Sequence, residues 1–183
     1  MATKLKDKRL SHFAHHHLVV TKAKHHDIVS IFNLIQEGCA HGCFNNLYLL
    51  PAYQMQLMLL LLSSWLFEKI RLSSGSWHKA SLYVIHHEGL FAGFLLMRYQ
   101  VPSGESQEIC LCAVEEKYRN KGFARRLIQS VLVNLKSNTI VEAECMHASV
   151  HMKRLLRQMG FKSISTPLNS VTEKFRISCA PER

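Results

Sequence analysis

The stretch best suited to chemistry is Glu108 to Ile128, with the sequence EICLCAVEEKYRNKGFARRLI. Its first part predicts a strand, and the apolar residues spaced at four after Gly122 predict a helix. The first backbone amides of a helix have no internal partner and lie at the positive end of its dipole, so they bind anions, phosphate above all. Gly122 omits a side chain that would block a phosphate. Three basic residues add positive charge at the rim of the turn: Arg119, Lys121 and Arg125.

This turn resembles the coenzyme A loop of the GNAT superfamily, the acetyl-CoA-dependent N-acetyltransferases. Residues 119–124, Arg-Asn-Lys-Gly-Phe-Ala, fit the pattern Gln/Arg-x-x-Gly-x-Gly/Ala, and the flanking pairs Ala113-Val114, Tyr118-Arg119 and Leu127-Ile128 also resemble the family. The resemblance implies acetyl-CoA as cosubstrate. The cofactor-binding residues that it implies are Cys112, Ala113, Val114, Arg119, Asn120, Lys121, Gly122, Phe123, Ala124 and Arg125.

The resemblance further implies a cleft between two splayed strands, 108–114 and 139–145, into which the thioester reaches. The pantetheine arm would hydrogen-bond the backbone of Cys112 and Val114. A free N–H near Ala113 would polarise the thioester carbonyl as an oxyanion hole.

The family also suggests how the acceptor amine loses its proton. Glu108 matches the glutamate that many members use as a general base, often through a water, and apolar neighbours are expected around it. A solvent-facing carboxylate with no role is the other interpretation. The tyrosine that often protonates the leaving thiolate is replaced by Leu156, and Ser149 stands where an asparagine is common. His147 and Cys145 are the substitutes near the cleft, although a structural role suits each of them better.

The elements that must position these residues alternate along the chain. Strands are predicted at His17–Thr21, Ser81–His86, Leu90–Tyr99, Gln107–Val114, Thr139–Cys145, Phe161–Ser165 and Val171–Ser178, and helices at His26–Glu37, Pro51–Ile70, Gly122–Lys136 and Ala148–Met159. The order predicts a mixed α/β (α+β) domain. The resemblance makes it a GNAT-like fold, with a mixed central sheet of six to seven strands and about four helices. We expect a basic arm at residues 1–12 and a single N-acetyltransferase domain at 13–183.

Composition narrows the partners and the compartment. The net charge is +10, from 23 basic and 13 acidic residues, which attracts anionic coenzyme A but also nucleic acid. The basic residues are scattered, without aromatics interleaved on one face, which argues against nucleic acid. No apolar run follows the charged start, so we expect a cytoplasmic protein with reduced thiols. No metal is expected, because Cys39, His41 and Cys43 lack a fourth ligand and the histidine clusters do not converge by spacing.

The most apolar segment runs from Met58 to Phe67 and is too short to span a bilayer. It predicts a buried helix that forms a homodimer contact or faces a hydrophobic acceptor. The sequence therefore predicts an N-acetyltransferase that uses a primary amine of a small molecule or a protein. The alternative is a coenzyme A-binding sensor or scaffold of the same fold without turnover.

Overall fold

The computed structural model describes residues 18–71, 75–99, 106–164 and 170–179. Within them, the strands are β1 (Leu18–Lys22), β2 (Lys69–Arg71), β3 (Trp77–His87), β4 (Leu90–Tyr99), β5 (Ser106–Val114), β6 (Ile140–Met146), β7 (Lys162–Ile164) and β8 (Thr172–Ser178). The helices are α1 (Asp27–Ala40), α2 (Pro51–Leu66), α3 (Phe123–Leu132) and α4 (Val150–Gln158). The strands form one sheet in the order β1-β3-β4-β5-β6-β8-β7, with β2 also paired to β3.

Two helices cover each face of the sheet and bury apolar side chains against it. On one face α1 and α2 bury residues at helical spacing, including Ile28, Ile31 and Ile35 of α1. On the other face α3 and α4 do the same with Phe123, Leu127 and Leu156 among others. The sheet is therefore the middle layer of three.

The mixed α/β architecture with four helices is confirmed, and the sheet contains one strand more than predicted. The sequence interpretation continued α2 to Ile70, whereas α2 ends at Leu66 and Glu68 has a left-handed backbone, φ 49°. Ile70 then pairs with His78 in a short strand. Helix α3 is likewise shorter than predicted and ends at Leu132 rather than Lys136.

Two irregularities of β5 shape the centre of the sheet. Leu96 of β4 pairs with Leu111, but Met97 pairs with Ile109, so Cys110 is an extra residue in a β-bulge. The bulge changes which side chains of β5 face α3 and α4, since Ile109 and Cys112 both pack on that side of the sheet. In addition, the parallel pairing of β5 with β6 covers only Ser106–Ile109 against Ile140–Ala143. Beyond these residues the two strands are no longer paired, as the predicted cleft requires.

The predicted basic arm, residues 1–12, lies outside the described residues, and the single-domain assignment stays a prediction. Among the helices that the structure describes, none has the length and apolar character needed to cross a membrane.

Candidate functional site

The turn between β5 and α3 leaves backbone donors unpaired. Asn120 and Gly122 have left-handed φ angles of 61° and 82°, a conformation that glycine adopts without strain. Gly122 is the N-cap of α3, no side chain caps the helix, and the amide of Arg126 makes the first bond, to the carbonyl of Gly122 at 2.9 Å. The amides of residues 123–125 therefore have no partner within the helix. A Cβ at Gly122 would meet nothing within 4 Å, so there is room for an anion.

Aromatic packing fixes where this helix begins. The rings of Tyr118 and Phe123 stack with centroids 5.1 Å apart, and the ring of His87 meets each edge-on at 5.5 Å. The side chain of Phe123 lies in the core. Phe123 can therefore serve a cofactor only through its backbone amide.

Two of the three basic residues at the turn are bonded to other parts of the protein. Arg119 donates from Nε to the carbonyl of Val114 at 3.1 Å and from Nη2 to Glu37 Oε1 at 2.9 Å. Arg125 donates to Gln158 Oε1 at 2.9 Å, whereas Lys121 is exposed. Arg119 thus joins the turn to α1 while its side chain remains 44% exposed, and its predicted role in cofactor binding is untested.

The strand end that borders the cleft presents alternate peptide groups. The carbonyl oxygen of Ala113 points at β4. It lies 2.6 Å from the position that a Cβ on Gly93 would occupy. Peptide groups alternate in direction along a strand, so those of Cys112 and Val114 point to the cleft. The role predicted for Ala113 is untested, and this geometry favours the amides of its two neighbours as oxyanion donors.

Two thiols on the strands that border the cleft pack in the core and remain protonated at neutral pH. Burial, followed by the charge of Cys145, raises the pKa of Cys112 to about 12, and burial raises the pKa of Cys145 to about 11. A free thiol has a pKa of about 8.5, so proton transfer from Cys145 to a thiolate would be uphill by two or more pKa units. Cys145 is therefore a poor general acid.

His147 is no better suited to be the general acid, and neither are the residues at the two family positions, Leu156 and Ser149. The ring of His147 is exposed, and its Nε2 lies 2.8 Å from the carbonyl oxygen of Ser170. Leu156 is buried in the core. Ser149 caps no backbone group of α4, and its hydroxyl donates to the carbonyl of Cys43 at 3.1 Å. This bond joins α4 to the segment after α1.

Glu108 lies in a row of charges instead of the apolar surroundings expected from sequence. Arg98 of β4 forms an ion pair with it, and the Glu108 side chain is 23% exposed. The residue opposite Glu108 on β6 is Glu142, which accepts from Arg176 Nε of β8 at 2.9 Å. Each carboxylate thus has an arginine on its outer side, and the two residues are register partners one position before the strands separate.

Sequence reasoning missed Glu142 and also Tyr48. Glu142 could have been found only from the strand register. Tyr48 lies in a 3-10 turn, Asn46–Leu49. Its side chain packs against the same core cluster as Cys110 of the β5 bulge, and burial, then the charges of Cys39 and Cys110, raises its pKa. No pattern in the sequence joins it to that strand.

A concavity of about 560 Å³ lies away from the α3 turn. It lies between α1 and the 3-10 turn after β5, and its lining includes Glu37, Glu115 and Glu116. Lys117 also lines it and is paired with Glu115, and Glu37 is paired with Arg119, so the lining has mixed charge. The amides at the start of α3 lie outside this concavity.

Comparison with known proteins identifies the family to which the chain belongs. The model of a protein family described as Acetyltransferase (GNAT) family matches residues 55–161, more than half of the chain. No curated protein sequence matches significantly.

Solved structures share the fold at low sequence identity. An acetyltransferase from Thermus thermophilus has a TM-score of 0.66 at 13% identity, covering 88% of this chain and 96% of its own. The protein yncA of Salmonella typhimurium, solved with its cofactor acetyl-CoA, has a TM-score of 0.65 at 11% identity, covering 91% and 96%. RimL, an α-N-acetyltransferase of a ribosomal protein solved with coenzyme A, has a TM-score of 0.65 at 14% identity, covering 90% and 96%.

Proposed function

The chain belongs to the acetyltransferase (GNAT) family, and on that basis we propose that it transfers an acetyl group from acetyl-CoA to a primary amine of a small molecule or a protein. The observation that carries the proposal is the uncapped start of α3 at Gly122, beside two strands that separate after Ile109 and Ala143. The first feature suits a diphosphate, and the second provides room for a thioester arm. Neighbours of the same fold were solved with acetyl-CoA or coenzyme A.

Backbone amides of the chain hold the cosubstrate and polarise it. The amides of residues 123–125 bind the diphosphate, since they have no partner inside the helix. The amides of Cys112 and Val114 face the cleft and hydrogen-bond the arm, and one of them polarises the carbonyl under attack. Bound acetyl-CoA supplies an acetyl thioester. The amine forms the new C–N bond, the C–S bond breaks, and the thiolate leaves.

Glu108 is the proposed base that removes the proton from the ammonium group of the acceptor, directly or through a water. Arg98 forms an ion pair with it, which holds the side chain against the sheet. Glu142 opposite is likewise paired with an arginine, Arg176, and provides a second carboxylate to which an ammonium group can donate at the neck of the cleft. The thiolate takes its proton from solvent, because Cys145 is too weak an acid.

The alternative is a sensor or scaffold that binds coenzyme A without turnover. Leu156 at the usual tyrosine position favours it, because that side chain has no proton to donate. The experiment that separates the two is a screen of amine acceptors with acetyl-CoA, following the release of free thiol. Acceptor-dependent thiol release supports the transferase; tight binding of acetyl-CoA with no release for any amine class supports the sensor. The cytoplasmic location expected from sequence stays a prediction.

Helix α2 supports a proposed homodimer. Its exposed apolar side chains include Met55, Leu59 and Leu66, at 65%, 59% and 56% exposure. An exposed apolar surface of this kind on a folded chain marks an interaction site. The hydrophobic acceptor predicted from sequence is the other occupant of this face.

We expect the double substitution Met55→Glu and Leu59→Glu to convert a dimer to a monomer, because it places charge on the apolar face. The measurement is mass by light scattering or sedimentation at several protein concentrations. Val133→Glu is the control, because Val133 is 81% exposed at the end of α3 and should leave the mass unchanged. A wild-type protein that is monomeric throughout would contradict the dimer and leave the acceptor as the occupant.

A further inference from the structure

Two histidines and a buried carboxylate meet at the start of α1. Asp27 Oδ1 lies 3.0 Å from Nε2 of His86 and 3.6 Å from Nε2 of His26. All three ligand atoms lie within 4.8 Å of one another. His26 immediately precedes α1, whereas His86 comes from β3, so the fold brings together residues from two separate histidine pairs of the sequence.

The surroundings fix two of the three groups. Asp27 is 1% exposed, and its Oδ2 accepts from the backbone amide of Lys24 at 2.8 Å, which turns Oδ1 towards the imidazoles. The side chain of His86 is 20% exposed, and its ring meets that of Phe91 edge-on at 6.4 Å. The third group, His26, is 58% exposed and can adjust. A fixed carboxylate and imidazole with one adjustable ligand suit a binding site that closes around an ion.

The distances and donor types indicate which ion. In a tetrahedral zinc site with bonds of about 2.0–2.1 Å, neighbouring ligand atoms lie roughly 3.3 Å apart. The observed 3.0 Å and 3.6 Å lie on either side of that value. Two imidazole nitrogens with one carboxylate favour a zinc-like divalent ion over magnesium or calcium, which prefer oxygen ligands.

We propose that His26, Asp27 and His86 form a binding site for a divalent transition-metal ion of the zinc type, with water as the fourth ligand. The site differs from the sequence expectation of no metal, which rested on spacing within each histidine pair. It lies outside the residues proposed for acetyl transfer and does not depend on that function. A bound ion would connect the start of α1 to β3 and so stabilise the folded chain.

The test is calorimetric titration of the metal-free full chain with zinc chloride. The triplet His15–His17 could bind zinc by itself, so the titration uses the background His15→Ala, His16→Ala, His17→Ala. The key variant is His26→Ala, because an exposed side chain can be removed without unfolding the chain. Asp27→Asn and His86→Ala are further variants, and His151→Ala, an exposed histidine of α4, is the matched control.

We expect one zinc ion per chain in this background and in His151→Ala. Loss of a direct ligand should weaken binding by at least about tenfold for His26→Ala and by about 100-fold for the two others, because even outer-shell changes cost about 10–100-fold. Zinc should also raise the melting temperature of the background but not that of His26→Ala. Absence of zinc binding in the background, or the same affinity in His26→Ala, would overturn the proposal and leave Asp27 and His86 as a plain hydrogen-bonded pair.

Discussion

Replacing Gly122 with valine is expected to weaken acetyl-CoA binding by about 100-fold. Gly122 has φ 82° and directly precedes the amides of residues 123–125. A β-branched residue is a steric outlier at this φ, so the turn must change shape and its amides no longer converge. Hydrogen bonds to a charged group contribute about 1.5–3 kcal/mol each, and losing about 3 kcal/mol weakens binding roughly 100-fold. The measurement is calorimetric titration with acetyl-CoA.

A matched control separates this effect from backbone strain. Gly75, in the loop before β3, has φ 83° and lies at the end of β3 remote from His87, the residue that contacts Phe123. Gly75→Val should therefore bring similar strain, of the order of 1–2 kcal/mol, without changing acetyl-CoA affinity. Equal losses of affinity in both variants would attribute the effect to general destabilisation and count against the α3 turn as the cofactor site.

Replacing Glu108 with glutamine is expected to lower kcat by at least about 100-fold and to leave the affinity for acetyl-CoA unchanged. General-base catalysis contributes about 10²–10⁴-fold, and glutamine keeps the shape of the side chain while removing its basic oxygen. The diphosphate site lies beyond the far end of β5, so binding should not change. Steady-state kinetics with the best acceptor of the screen, combined with a cofactor titration, measures both quantities.

Glu142→Gln is the control for this substitution. Glu142 faces Glu108 and is likewise paired with an arginine, Arg176, so the change removes the same charge from the same face of the sheet. We expect an increase in KM for a cationic acceptor and a small change in kcat. Full activity in Glu108→Gln would exclude Glu108 as the base, and a large fall in kcat for Glu142→Gln alone would assign the base to β6.

The sequence could predict the features that depend on short-range pattern. Strand β4 has the predicted bounds, Leu90–Tyr99, because its apolar run is bounded by a turn with left-handed Glu88 and Gly89. The stripe of α1 follows from helical spacing. The start of α3 was predictable because a glycine followed by apolar residues at helical spacing indicates a helix start without reference to distant residues.

The features that the sequence could not predict depend on partners distant along the chain. Arg98 and Glu108 meet only because β4 and β5 pair with a bulge, and no spacing rule locates that bulge. Arg119 binds Glu37, a residue of α1 whose position depends on packing across the sheet. Strand β2 was missed because apolar spacing continued past Leu66, whereas the left-handed Glu68 ends the helix.

Titration of the purified wild-type protein with acetyl-CoA by calorimetry tests the central claim, that uncapped amides at the start of α3 hold the diphosphate. We expect a saturable isotherm with one cofactor per chain, and a clearly weaker isotherm for Gly122→Val. A wild-type titration without binding heat at several temperatures, or a Gly122→Val protein that binds as tightly as the wild type, would contradict it.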